Sequence, residues 1–236
     1  MSSEITIFPA DILAVVDGLA PQPPGPDNPI EAAMTLMDAR PEPAQLVRVV
    51  IYRFDDGPTA EADQYQAALQ QGRLPLHGAA AALDCDLQVI ELGSGGVNAT
   101  DNARAAAFGM MAAEQDTGLL AVAGFGAESA ARAASCDPAR FFATATPETA
   151  AIFGAIIAAA RAGIPIIVEG AQGRAAVRAL RQIRPDTARH VFLCGVDADE
   201  AGVHVFGENE PNETGYAAVM LASVLQGEHR RRKAAV

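Results

Sequence analysis

Short β-branched runs recur along this chain with an alanine-rich helical stretch between most of them. The runs are Leu46–Tyr52, Leu87–Leu92, Leu119–Ala123, Pro165–Glu169 and His190–Cys194, with a weaker sixth at Val203–Phe206. Their apolar character is continuous rather than alternating, which is the pattern of strands buried on both faces. Helices are expected over about 59–71, 75–84, 100–115, 149–162, 171–183 and 214–225, the third capped by Thr100 or Asp101. Strands that alternate with helices in this way predict a parallel sheet with crossover helices on both faces. The fold class is therefore α/β, a three-layer Rossmann-like parallel sheet. Aromatic residues make up only 5% of the chain and tryptophan is absent, so such a core relies on close helix packing against the sheet.

The segment ahead of the first strand is different. Short helices are expected at Asp11–Leu19 and Ile30–Asp38, separated by the proline-rich linker at residues 21–29, which cannot be helix or central strand. Asp27-Asn28-Pro29 is a helix start signal, with Glu31 in the first turn. The organisation read from this is an appendage over 1–40, a main α/β domain over 41–226 and a flexible basic tail over 227–236. About forty residues bury too little surface to fold alone, so the appendage is expected to pack on the main sheet or on a partner subunit.

Charge and rare residues exclude several functions. The formal net charge is −12, which argues against nucleic acid or an anionic membrane as the main partner. Lys233 is the single lysine and lies in the tail, so the body holds neither a phosphate-binding GxxxxGK[ST] loop nor a Schiff-base lysine. Cys85, Cys136 and Cys194 are far apart, as are the four histidines, so neither a disulfide framework nor a metal site is expected. With no secretory leader and no long uncharged apolar stretch, the default expectation is a soluble cytoplasmic protein.

In open parallel sheets ligands bind outside the carboxyl ends of the strands, so the segments that follow the strands are where chemistry is sought. Gly93-Ser94-Gly95-Gly96-Val97-Asn98 could cradle an anion with backbone amides at a helix start, or could simply reverse the chain. Gly124-Phe125-Gly126-Ala127-Glu128-Ser129 offers amides and a hydroxyl to a phosphate. Glu128 opposes one electrostatically unless Arg132 compensates, although an acid at a helix N-terminus is ordinary capping. Glu169, followed by Gly170, is a carboxylate at the end of a buried strand. It either meets a ligand, such as a ribose hydroxyl, or caps the next helix. Glu208, Glu210 and Glu213 precede the last helix, as candidate general bases or as a hydrophilic loop.

Together these stretches resemble the nicotinate-nucleotide–dimethylbenzimidazole phosphoribosyltransferases. Residues 150–194 are similar to that family's helix, its "ARVPVLLDG"-like strand end, and the helix and strand that follow. Gly96-Val97-Asn98 echoes a "DAGVN"-like loop. Residues 119–134 resemble "LLALGEMGIGNTTAAAA". Gly207-Glu208 and Glu213-Thr214-Gly215 resemble "GEGTGAAL". The likeness covers roughly residues 40–226. It implies transfer of phosphoribosyl from nicotinate mononucleotide to a benzimidazole-type base in cobamide lower-ligand synthesis. The azole nitrogen attacks the anomeric carbon and nicotinate leaves. On this likeness Glu208 or Glu213 takes the azole proton, and Gly96, Asn98, Gly124, Gly126, Ser129, Glu169 and Gly170 bind substrate. No cofactor or metal is implied, the partners are small molecules, and a homodimer is expected.

The departures from the family pattern are specific. Ala127, Glu128 and Ser129 replace an Asn and two hydroxyl residues in the phosphate loop. The family's glutamate ahead of that loop falls on Val122, and its strand-end aspartate on Glu169. Several residues separate Gly207-Glu208 from Thr214-Gly215, and the chain is shorter than typical members, mainly at the N-terminus. The alternatives are a non-catalytic homologue, either nucleotide- or base-binding or regulatory, and an unrelated Rossmann-like enzyme that uses a sugar nucleotide.

Overall fold

A computed structural model describes residues 9–22, 25–39, 46–54, 64, 67–93, 98–113, 116–125, 127–194, 204–206 and 214–235. Six strands form one sheet: β1 (Leu46–Arg53), β2 (Asp86–Glu91), β3 (Thr117–Gly124), β4 (Ile166–Glu169), β5 (Val191–Cys194) and β6 (His204–Phe206). Their order is β2-β1-β3-β4-β5-β6, and every neighbouring pair is parallel. The helices are α1 (Pro9–Asp17), α2 (Pro29–Asp38), α3 (Pro75–Leu83), α4 (Ala99–Gly109), α5 (Ala127–Ala134), α6 (Phe141–Thr144), α7 (Pro147–Ala162), α8 (Gly170–Ile183) and α9 (Tyr216–Ala234). Among the described residues, none of these helices is long and apolar enough to cross a membrane.

The strands are buried on both faces because each face carries its own helical layer. Val50, Tyr52, Leu120, Val122, Ile166 and Val168 pack under α1, α4, α7 and α8. Their neighbours Val49, Ile51, Leu119, Ala121 and Ile167 pack under α2, α3 and α9. The alternation follows from the two-residue side-chain period of a strand. Each fully buried Ile or Leu contributes on the order of 1.5–3 kcal/mol of apolar transfer. Small residues let the helices of the first layer approach closely. A Cβ built on Gly109 of α4 would fall on the Ala151 carbonyl of α7, and one built on Gly154 of α7 would fall on the Ala106 carbonyl of α4.

Both N-terminal helices join these layers. Ile12 and Val16 of α1 enter the first core, and Ala33, Met34 and Met37 of α2 enter the second. Arg184 donates to the carbonyls of Asp17 (2.9 Å) and Leu19 (2.8 Å), closing the C-terminus of α1. In the proline-rich linker, Gln22 Nε2 lies 2.8 Å from His190 Nδ1, and Gln22 Oε1 accepts from the His190 amide at 3.2 Å.

Boundaries of three helices differ from those the sequence suggests. The cap of α4 is Asn98, whose Oδ1 accepts from the Thr100 and Asp101 amides, so the helix starts earlier than Thr100. It also stops at Gly109 and tightens into a 3₁₀ turn over Met110–Ala112. Helix α7 begins at Pro147 rather than Thr149, because Thr146 caps it and Pro147 occupies the first turn. Finally, α9 continues to Ala234, about nine residues past the expected end at Leu225. Gln226 and His229 are buried on its inner face, His229 pairs with Asp38 of α2 at 3.0 Å, and Glu228 pairs with Arg231 and Arg232 on the outer face. Segment 227–234 is thus helix rather than loose tail. Of the helix expected over 59–71, residues 64 and 67–70 are helical, and most of the remainder lies outside the described residues.

Candidate functional site

The chain leaves β1 for the edge at β2, then returns past β1 to build β3 to β6 on the other side. The direction of winding therefore reverses between β1 and β3. In doubly wound sheets of this order that switch point is where a crevice opens at the carboxyl ends of the strands. The pairing of β1 with β3 runs to Tyr52↔Gly124, and the Phe125 amide then donates to the Tyr52 carbonyl at 2.9 Å.

The N-terminus of α7 lies over this point. Thr146 is extended (φ −84°, ψ 159°), and its Oγ1 accepts from the Thr149 amide at 3.3 Å. Two residues on, Glu148 is buried with 2% of its surface exposed. Its Oε1 accepts from the Phe54 amide, directly after β1, at 3.2 Å. Its Oε2 is buried and accepts no hydrogen bond among the described residues. Beside it runs a line of hydroxyls, Ser129 Oγ to Thr146 Oγ1 at 3.0 Å and Thr146 Oγ1 to Thr149 Oγ1 at 2.9 Å. Burial pushes the Glu148 carboxyl above the usual carboxylate range. Its own backbone amide, the Thr146 and Ser129 hydroxyls nearby and the Phe54 amide all pull it back.

Gly124 closes the group from β3. Its carbonyl accepts from Gln172 Nε2 of α8 at 3.3 Å. A Cβ there would stand 3.0 Å from Gln172 Cγ and 3.2 Å from Glu148 Cβ, so glycine lets the strand end meet both side chains. Elements β1, β3, α5, α7 and α8 thus converge on one buried carboxylate.

Glu169 serves differently. It ends β4 and lies on the opposite sheet face from Glu148, in line with Ile167 under α9. Oε1 accepts from the Gly215 amide at 2.9 Å and Oε2 from the Ala218 amide at 2.8 Å. These are donors that the first turn of α9 leaves open, and a carboxylate suits the positive end of a helix dipole. Burial raises the Glu169 carboxyl, and the Ala218, Gly215 and Ala217 amides lower it. The sequence left open whether Glu169 meets a ligand or caps the next helix. It makes no side-chain cap to α8, the next helix; it caps α9, the last one. Gly170 follows with φ +74°, a left-handed turn from β4 into α8 that glycine adopts without strain.

Of the residues singled out in the sequence, Gly124 and Ser129 come together around Glu148. Asn98 is engaged at the start of α4, where its Nδ2 also donates to Asp101 at 2.6 Å. Gly96, Gly126, Glu208 and Glu213 lie outside the described residues, as does the side chain of Glu128. Sequence reading missed Glu148, Thr146 and Gln172. The signal for the first two was Thr146-Pro147-Glu148, a capping hydroxyl followed by proline at the first helical position.

No protein-family model and no curated protein sequence matches the chain. Solved structures do. The structure of CobT from Thermus thermophilus superposes with a TM-score of 0.66 at 17% identity, over 92% of this chain and 93% of that one. A structure of the nicotinate-nucleotide–dimethylbenzimidazole phosphoribosyltransferase from the same organism gives 0.63 at 18% identity, over 95% of this chain and 96% of that one. Against these two chains the match runs nearly end to end, so the N-terminal shortening expected from the resemblance is not seen against them. The chain has the fold of these phosphoribosyltransferases.

Proposed function

We propose that the crevice at the β1/β3 switch point binds a phosphoribosyl nucleotide and that the protein transfers its phosphoribosyl group to a benzimidazole-type base. The observation that carries this reading is the convergence of Gly124, Ser129, Thr146 and Glu148 at the switch point of this fold. In the reaction, the azole nitrogen bonds to the anomeric carbon as the bond to nicotinate breaks, nicotinate keeps the bonding pair, and the azole N–H proton passes to a base. The resemblance gives that base as Glu208 or Glu213. The substrates are thus nicotinate mononucleotide and a benzimidazole-type base, and assembly as a homodimer belongs to the same reading.

One observation favours a second reading, binding without turnover. Both oxygens of Glu169, which stands where the resembled family has its strand-end aspartate, are engaged by amides of α9. Calorimetric titration with nicotinate mononucleotide, followed by addition of dimethylbenzimidazole, separates the two. Transfer requires binding and then nicotinate release. Binding without release supports the second reading, and no binding rejects both.

A further inference from the structure

Ionised or neutral, a carboxyl group seeks hydrogen-bond partners for both oxygens, and leaving one bare in a dry site is costly. The Phe54 amide serves Oε1 of Glu148, the Thr146 and Ser129 hydroxyls also favour the charged carboxyl, and Oε2, on a residue 98% buried, has no partner of hydrogen-bonding geometry among the described residues. An acid in the first turn of a helix is favoured by the helix dipole alone, but an exposed acid would gain that benefit without losing its water. Thr146 already caps the helix, so the carboxylate is not needed for that purpose. The position of Glu148 is the further observation. It lies at the strand ends where the winding reverses, between a glycine that admits it and the hydroxyls of Ser129 and Thr146. Those hydroxyls can each donate or accept, so a group entering beside Glu148 finds both kinds of partner.

We propose that Glu148, with the flanking hydroxyls of Ser129 and Thr146, forms a subsite in which Oε2 accepts a hydrogen bond from an N–H or O–H of the bound ligand. This rests on the reading that the switch point binds a nucleotide and an azole base. Two donors share the required chemistry, the N–H of the azole and a hydroxyl of the ribose. Glu148 is then distinct from the Glu208 and Glu213 pair and from Glu169, which is engaged by α9.

The test is calorimetric titration of the full chain and of E148Q with three probes separately: benzimidazole, 1-methylbenzimidazole, which lacks the N–H, and nicotinate mononucleotide. The substitution keeps the shape and places an amide where the acceptor oxygens were. If the azole is the donor, the original chain prefers benzimidazole to its methyl derivative by about tenfold to a hundredfold, the scale of a hydrogen bond to a charged group, and E148Q loses the preference. If the ribose is the donor, E148Q weakens nicotinate mononucleotide by the same factor and leaves both azoles unchanged. A folded E148Q that binds all three probes as the original chain does overturns the proposal, since Oε2 then faces only resident water or protein. Should E148Q not fold, S129A decides: a several-fold loss for one probe supports the subsite, and unchanged binding overturns it. Failure of the original chain to bind any probe overturns the proposal and the functional reading together, whereas binding insensitive to both substitutions overturns the proposal alone.

Discussion

Glu169 shows how one residue can be found in a sequence while the element that engages it stays hidden. Its place at the end of an apolar strand marks it as a carboxylate with a task, because burying a charge needs compensation. Periodicity along the chain then offers the next helix as its partner. The actual partner, α9, starts more than forty residues later, and no local rule connects the two. Glu169→Ala strips two acceptors from the Gly215 and Ala218 amides, so it is expected to destabilise the fold by roughly 1–3 kcal/mol, and Glu169→Gln by less. Urea denaturation measures both, and a Glu169→Ala midpoint equal to that of the original chain would show that the carboxylate does not hold the helix. Glu148 escaped sequence reading for a related reason. A glutamate after Thr-Pro is an ordinary first-turn acid, and only the return of β1 and β3 to the same point makes it buried.

Strands were the most legible elements. Five continuous β-branched runs gave five strands, since burial on both faces imprints itself directly on a short stretch of chain. Helix ends were less legible because caps depend on which of several adjacent polar residues reaches back, as Asn98 does ahead of Thr100. The end of α9 was hidden by composition. Residues 227–236 read as solvated, yet a helix needs only one buried face; Gln226 and His229 are buried on it, and His229 meets Asp38 of α2. The close contact between α4 and α7 was not legible. Glycines at 109 and 154 look like weak points in two helices, whereas each admits the other helix's backbone. Gly154→Ala is expected to cost about 1–3 kcal/mol by overpacking, despite alanine's better helix propensity. A rise in thermal midpoint for this variant would mean that α4 and α7 can separate without penalty.

At the scale of the whole molecule, His190 ties three regions together. Its Nε2 lies 3.0 Å from the Ile156 carbonyl of α7, an acceptor, so that nitrogen carries the hydrogen. Nδ1 is then the acceptor for Gln22 of the linker. Burial lowers the imidazole to about 4 from 6.5. Between those values the unfolded chain binds the proton and the folded chain does not, so His190 makes stability fall as pH drops from about 6.5 to about 4. The full effect is on the order of 3 kcal/mol. His190→Asn should flatten that part of the stability–pH curve, measured by urea unfolding across the window, and an unchanged slope would assign the acid sensitivity elsewhere. Quaternary structure is a second expectation at this scale. The chain should sediment as a homodimer at micromolar concentration, and a monomeric mass would reject it.

Phosphoribosyl transfer is the reaction proposed for the β1/β3 switch point. Incubating the protein with nicotinate mononucleotide and dimethylbenzimidazole, and following both products by chromatography, tests it. Nicotinate and the phosphoribosylated base should appear together, in equal amounts, and only when both substrates are present. Absence of both products at stoichiometric protein, with the protein folded, would contradict transfer at this site.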